Sequence, residues 1–431
     1  MIRIAVVAVL LVCLMLAVPC QAVAEETVST VSDHEVEFPD SLTFTLTAKD
    51  QANGTIEETL LQYRIEGVTD LKVTTMVPVA VEEGSEVVAS WRWDMRKAPL
   101  PPGAEVSYRW VIENSAGGVV ETDWQTVSFE DNRHSWDSVG VGNVTLFWYR
   151  GGQAFSRELI DAAAESLERL GEDSGSYLRE PVEVYIYDGS KALREALIHQ
   201  PEWVGGVAFT HFGIIAIGIA PEDLAWGKRV MTHELAHLVT YQMTSNPYND
   251  IPTWLNEGIS VYAEGEVDPL FKMVFEDAVS DDALISLRTL SSSFPAAADQ
   301  ARLSYAESRA VFEFLVDSYG TGNMTELLGV FKEGASYDGA LEKVYGFDTD
   351  GLDDLWRASL GLDPRPTETL AANGTNTTPT ESPGNGLVGC GAGPTTSGHW
   401  EVAPFALLGL VLMPCLGEVL RLRIGRRGSG R

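Results

Sequence analysis

Residues 230–240 read VMTHELAHLVT, and nineteen residues separate His237 from Glu257 in the later stretch WLNEGISVYAEG. In a helix His233 and His237, four apart, lie on one face about a turn from each other, where two imidazoles can share one ion. Met231, Leu235, Leu238 and Val239 give such a helix an apolar back. Glu234 follows the first histidine and can reach a water on the same ion. A catalytic zinc takes three protein ligands and keeps one position open for water, so a third ligand has to return to the pair. Glu257 can supply it if its own helix packs against the first, and the turn-rich link SNPYNDIP permits that return. Glu264 and Glu266 in the same region are the alternatives. A third histidine six residues beyond His237 is missing, since position 243 is Met. Zinc is preferred over other divalent ions by ligand type.

The remainder of the 431 residues is long enough for two or three domains, and an apolar fraction of 45% argues against wholesale disorder. Acidic residues outnumber basic ones 62 to 30, a formal charge of −32. That balance speaks against a nucleic-acid partner, which needs a basic face. Of four cysteines, Cys13 and Cys20 lie near the N-terminus and Cys390 and Cys415 near the C-terminus. None falls between Glu25 and Gly389, so neither a disulfide framework nor a thiolate zinc site supports the body of the chain.

The ends read as addresses. MIRIAVVAVLLVCLMLAVPCQAVA (1–24) has one Arg, a long apolar run and Ala22-Val23-Ala24 before Glu25, the pattern of a cleaved secretory signal. A lipoprotein using Cys20, or an uncleaved anchor, is the other reading. Residues 363–399 are rich in Thr, Pro and Gly without apolar periodicity and read as a stalk. An uncharged stretch, Val402–Gly417, follows, so a membrane anchor is expected over 400–420. The arginine-rich 421–431 should then stay in the cytoplasm, leaving the body outside the cell. GCGAGP before the apolar run is similar to the start of three-part prokaryotic sorting signals, which would place a processing point near Cys390.

Between the ends, residues 25–135 carry partly alternating runs such as LTFTLTA (42–48), TLLQYRI (59–65), VVASWRW (87–93), VSYRWVIE (106–113) and TDWQTVSFE (122–130), broken by turn signals. The expectation is an antiparallel β-sandwich of immunoglobulin or fibronectin type. Residues 136–362 change character. VTLFWY (144–149), PVEVYIYDG (181–189) and FGIIAIGIA (212–220) read as strands. FSRELIDAAAESLERLGEDSG (155–175) and SKALREALIH (190–199) read as helices. Helices are then expected around 223–243, 253–264, 269–280, 300–319, 324–333 and 351–360, an α+β arrangement. FGIIAIGIA is the expected edge strand for an extended peptide.

THELAH followed by WLNEGISVYAE resembles the gluzincin metallopeptidases, locally the M1 aminopeptidases. Residues 136–360 as a whole are more similar to the prokaryotic peptidase MA-like domains, with YAESRAVFEFLVDSYG (305–320) matching their Tyr-containing helix. The resemblance implies that His233, His237 and Glu257 hold Zn2+, that Glu234 is the general base, and that Tyr305 donates to the developing oxyanion. Tyr262 and His211 are weaker candidates for that donor. It makes 136–362 a gluzincin-type peptidase domain, a small sheet plus a helical half. Two departures stand out. The spacing from His237 to Glu257 is one residue longer than the aminopeptidase pattern. No GxMEN-type segment is visible either, the nearest stretch being GGVAF (205–209), so aminopeptidase specificity does not carry over. Val261 occupies the position where thermolysin-type relatives carry an Asp that orients a histidine, which leaves that partner unidentified. Asn256 is expected near the ion or the substrate amine, and Trp254 under the helices.

The function implied is a membrane-anchored extracytoplasmic zinc peptidase acting on a peptide or protein. A non-catalytic surface adhesin with a structural zinc is the alternative, and a hydrolase of a non-peptide bond is a third. Glu234 discriminates them, because a structural site has no need of that carboxylate.

Overall fold

A computed structural model describes residues 28–52, 54–67, 73–198, 205–295 and 298–365. The expected signal, most of the stalk, the apolar C-terminal segment and the basic tail lie outside the described residues. Among the described residues no helix is long and apolar enough to cross a membrane.

Alternation of apolar and polar side chains builds eight strands among the described residues between Val28 and Ser128. β1 (Val28–Glu37), β2 (Ser41–Asp50) and β5 (Glu86–Asp94) form one antiparallel sheet in the order β1-β2-β5. β3 (Ile56–Ile65), β4 (Thr75–Val79), β6 (Glu105–Asn114) and β7 (Val119–Glu121) form a second, ordered β4-β3-β6-β7, and β8 (Gln125–Ser128) pairs with the other end of β6. Leu42, Phe44 and Leu46 of β2 meet Tyr108, Trp110 and Ile112 of β6 in one core. The rings of Phe44 and Tyr108 are 4.6 Å apart across the two sheets.

A third sheet follows. β9 (Asp137–Val141), β10 (Val144–Trp148), β11 (Val182–Tyr187), β12 (Gly206–Phe209) and β13 (Ile214–Gly218) lie in the order β12-β13-β11-β10-β9. β10, β11 and β13 are parallel, and β9 and β12 are antiparallel at the edges. Side chains alternate between two cores. Val184, Ile186, Ile215 and Ile217 face helices, whereas Tyr185, Tyr187, Ile214 and Ala216 join the core of the N-terminal sheets. Burial on both faces explains why Ile214–Ile217 reads as an unbroken apolar run. It also corrects one expectation: FGIIAIGIA supplies an inner strand, and the edge is GVAF, whose leading glycine and short length concealed it.

The helices are α1 (Gly152–Ser174), α2 (Gly189–Ala196), α3 (Leu224–Thr244), α4 (Thr253–Ala263), α5 (Pro269–Ser280), α6 (Leu287–Leu290), α7 (Ala298–Tyr319), α8 (Thr321–Lys332), α9 (Tyr337–Tyr345) and α10 (Thr349–Ser359). The chain is mixed α+β, with antiparallel sheets first and helices dominating the second half. α9 was not anticipated. It is too short for a periodic signal and is defined by its ends, with the Ser336 side chain accepting from the Gly339 amide and Gly346 left-handed. In α3 every residue from Val230 to Thr240 is buried, because the helix has the third sheet on one side and α4 on another.

Candidate metal centre

α3 carries His233, Glu234 and His237, α4 carries Glu257, and α7 carries Tyr305. All five are at most 2% exposed. Gly258 sets the approach of the last two helices. A Cβ there would lie 2.5 Å from the backbone oxygen of Ser308, so only glycine lets α7 sit this close to α4. Gly206 does the same for β12: a Cβ there would crowd Val230 and Glu234 at 3.2–3.4 Å.

His233, His237 and Glu257 form the single group of three potential metal-ligating side chains found among the described residues. The two Nε2 atoms are 3.1 Å apart. Glu257 Oε2 is 3.4 Å from Nε2 of His233 and 3.7 Å from Nε2 of His237. Zinc bonds of about 2.0–2.1 Å in a tetrahedron require ligand atoms roughly 3.4 Å apart, and each separation falls within about 0.3 Å of that edge. Glu257 Oε2 and Glu234 Oε2 are buried without a hydrogen-bond partner. An unpaired buried carboxylate oxygen is costly unless a cation or water meets it. The residues therefore fit a tetrahedral ion with two imidazoles and one carboxylate, a donor set that suits zinc.

The outward nitrogens are also held. Glu264 Oε1 lies 2.9 Å from His233 Nδ1, and a carboxylate only accepts, so in the neutral ring Nδ1 carries the proton and Nε2 keeps its lone pair for a metal. Asn256 Oδ1 lies 3.1 Å from His237 Nδ1 and Ser260 Oγ 3.0 Å from it. Glu264 thus orients a ligand and Glu266 is exposed, so neither takes the place of Glu257. Glu264 follows Glu257 by seven residues, two helical turns, and that spacing is the signal that could have found it. Val261, at the position where an orienting acid was sought, is packed in the core. Trp254 is buried beside Ala236 of α3 in the helical core.

Burial lowers the pKa of His237 to about 4. Burial acts the same way on His233, but the neighbouring carboxylates of Glu257 and Glu264 outweigh it and hold that ring up to about 10. Burial, reinforced by the charge of Glu257, raises Glu234 to about 7, against a hydrogen bond from the Ala208 amide of β12. Tyr305 sits with its ring 6.3 Å from that of His233, and burial followed by the charges of Glu257, Glu234 and Glu264 keeps its hydroxyl protonated. Tyr262 instead donates to Asp173 at 2.8 Å, and His211 Nδ1 lies 3.4 Å from the Tyr241 hydroxyl.

The Peptidase MA superfamily profile matches residues 162–361. No curated protein matches the chain significantly. Among solved structures, an M1 zinc metallopeptidase variant bound to a Tyr-Ser-Ala substrate, from Deinococcus radiodurans, is 14% identical with a TM-score of 0.36, covering 77% of this chain and 94% of its own. An aminopeptidase N family protein from Idiomarina loihiensis is 11% identical with a TM-score of 0.37, covering 76% of this chain and 75% of its own.

Proposed function

From the match of residues 162–361 to the Peptidase MA superfamily profile, we propose that the chain is a zinc peptidase, exported and held at the outer face of the membrane by residues 400–420. The observation that carries the reading is the near-tetrahedral spacing of His233 Nε2, His237 Nε2 and Glu257 Oε2, with the unpartnered Glu234 Oε2 beside them.

A zinc ion held by His233, His237 and Glu257 would acidify a water and polarise the scissile carbonyl. Glu234 takes the water's proton and returns it to the leaving amine. Tyr305, protonated and facing His233, donates to the oxyanion. The extended substrate lies along β12, the edge strand whose Ala208 amide already reaches Glu234. Glu264 and Asn256 keep the two imidazoles turned toward the ion. The paired N-terminal sheets are of immunoglobulin or fibronectin type and share a core with the peptidase sheet. The exported location is supported by the N-terminal signal pattern, and the anchor by the uncharged stretch followed by arginines.

Glu234→Gln in the full-length chain tests this directly. The variant should bind zinc as the parent does and lose peptide hydrolysis by at least about a hundredfold, the low end for a general base. Unchanged turnover would refute the assigned base, and the absence of hydrolysis in both, with zinc bound, would favour a surface-binding protein with a structural ion.

A further inference from the structure

Glu264 can orient His233 only if the backbone that carries it is fixed, yet it lies at the frayed end of a helix. α4 stops at Ala263 and Glu264 is its C-terminal cap residue. The last carbonyls of a helix have no partner within it and carry the negative end of its dipole. Here they are met by guanidinium groups from two other helices. Arg309 of α7 donates through Nη1 to the carbonyls of Val261 at 3.1 Å and Gly265 at 2.8 Å. Arg169 of α1 donates to the carbonyl of Ala263 at 2.6 Å, and Ser166 adds a bond to the same oxygen at 3.2 Å. Carbonyls 261, 263 and 265 therefore bracket Glu264 on both sides. Arg309 is 7% exposed, and its Nε donates to Glu313 at 2.8 Å. It stands one turn beyond Tyr305 on α7, so one helix faces His233 directly and also holds the segment that orients it.

Building on the zinc-peptidase reading, we propose that Arg309 is a positioning residue for the metal site, acting through the 261–265 backbone to hold the Glu264 carboxylate against His233 Nδ1. A lysine keeps the charge but is shorter and has one nitrogen, so it cannot meet the two carbonyls and Glu313 from separate points of a planar group. Arg309→Lys loosens Glu264 and weakens zinc binding, although the residue touches neither the ion nor its ligands.

Zinc dissociation constants measured by chelator competition on the full-length chain test this in a double-mutant cycle of Arg309→Lys and Glu264→Gln. The expected result is about a tenfold weaker affinity for Arg309→Lys, the low end for groups that support a metal ligand. No further loss is expected when Arg309→Lys is added to Glu264→Gln. Parent-like zinc affinity in Arg309→Lys, with only a lower unfolding temperature, would overturn the inference. A tenfold loss that persists in the Glu264→Gln background would overturn it too, since Arg309 would then act by another route. If Arg309→Lys does not fold, Arg169→Lys enters the same cycle and is read by the same two outcomes. A parent chain that binds no zinc overturns the proposed function itself, a result distinct from either of these.

Discussion

Adding one methyl group at Gly258 should separate two effects that act in opposite directions. In a helix interior, alanine is favoured over glycine by about 1 kcal/mol. At Gly258 the added Cβ would stand 2.5 Å from Ser308 O, 3.0 Å from its carbonyl carbon and 3.2 Å from Phe312 Cβ. The closest obstacle is backbone, which cannot rotate aside. Restoring an ordinary contact of 3.4 Å or more means moving α7 away from α4 by nearly 1 Å. Overpacking of this kind costs about 1–3 kcal/mol, and a rigid neighbour puts Gly258 in the upper part of that range. Gly329, exposed in α8 with nothing within 4 Å of a built Cβ, supplies the control. Gly329→Ala should gain about 1 kcal/mol from propensity alone, whereas Gly258→Ala should lose about 1–2 kcal/mol net. At about 2–4 °C per kcal/mol for domains approaching this size, thermal unfolding should place the two variants roughly 4–12 °C apart, with the parent between them. Equal upward shifts in both would refute the close approach of α4 and α7, and with it the placement of Tyr305.

Glu264→Gln should weaken zinc binding by about 10–100-fold in chelator competition, because His233 loses its carboxylate partner; an unchanged affinity would remove Glu264 from the site. Glu307 accepts from the Ile285 amide in a buried setting, and burial pushes its pKa up to about 8. The folded chain then holds a proton that the unfolded chain releases, so this group's contribution to stability is full below about pH 4.5 and is lost as pH rises through about 8. Glu307→Gln should accordingly gain on the parent as pH rises from 5 to 8, by up to about 3 kcal/mol at pH 7 at roughly 1.4 kcal/mol per pKa unit. A stability difference independent of pH over that window would contradict the assignment.

The parts of the fold that read clearly were those with a period or a fixed spacing. The threonine-alternating run Leu42–Ala48 falls within β2, and the HELAH and WLNEG segments fall on two packed helices. What was illegible depended on partners distant in sequence. β12 is four residues with glycine at its start, and only its pairing with β13 makes it a strand. α9 is defined by capping rather than by periodicity. At the site, the ligand set follows from helix geometry, but the orienting groups do not. Glu264 was weighed as a ligand because an acid near two histidines can either bind the ion or hold a ring. Only the position of α4 beside α3 shows that its carboxylate reaches Nδ1. Arg309 shows in the sequence only its pairing with Glu313 four residues on, because its tie to the site runs through the carbonyls of Val261 and Gly265, more than forty residues away.

The central claim is that His233, His237 and Glu257 hold one zinc ion. Elemental analysis of the purified full-length chain beside His237→Ala, after reconstitution with zinc and dialysis, measures it directly. About one zinc per parent chain and little in the variant is the expected result for a three-ligand site. No zinc in either protein, or equal zinc in both, would contradict it.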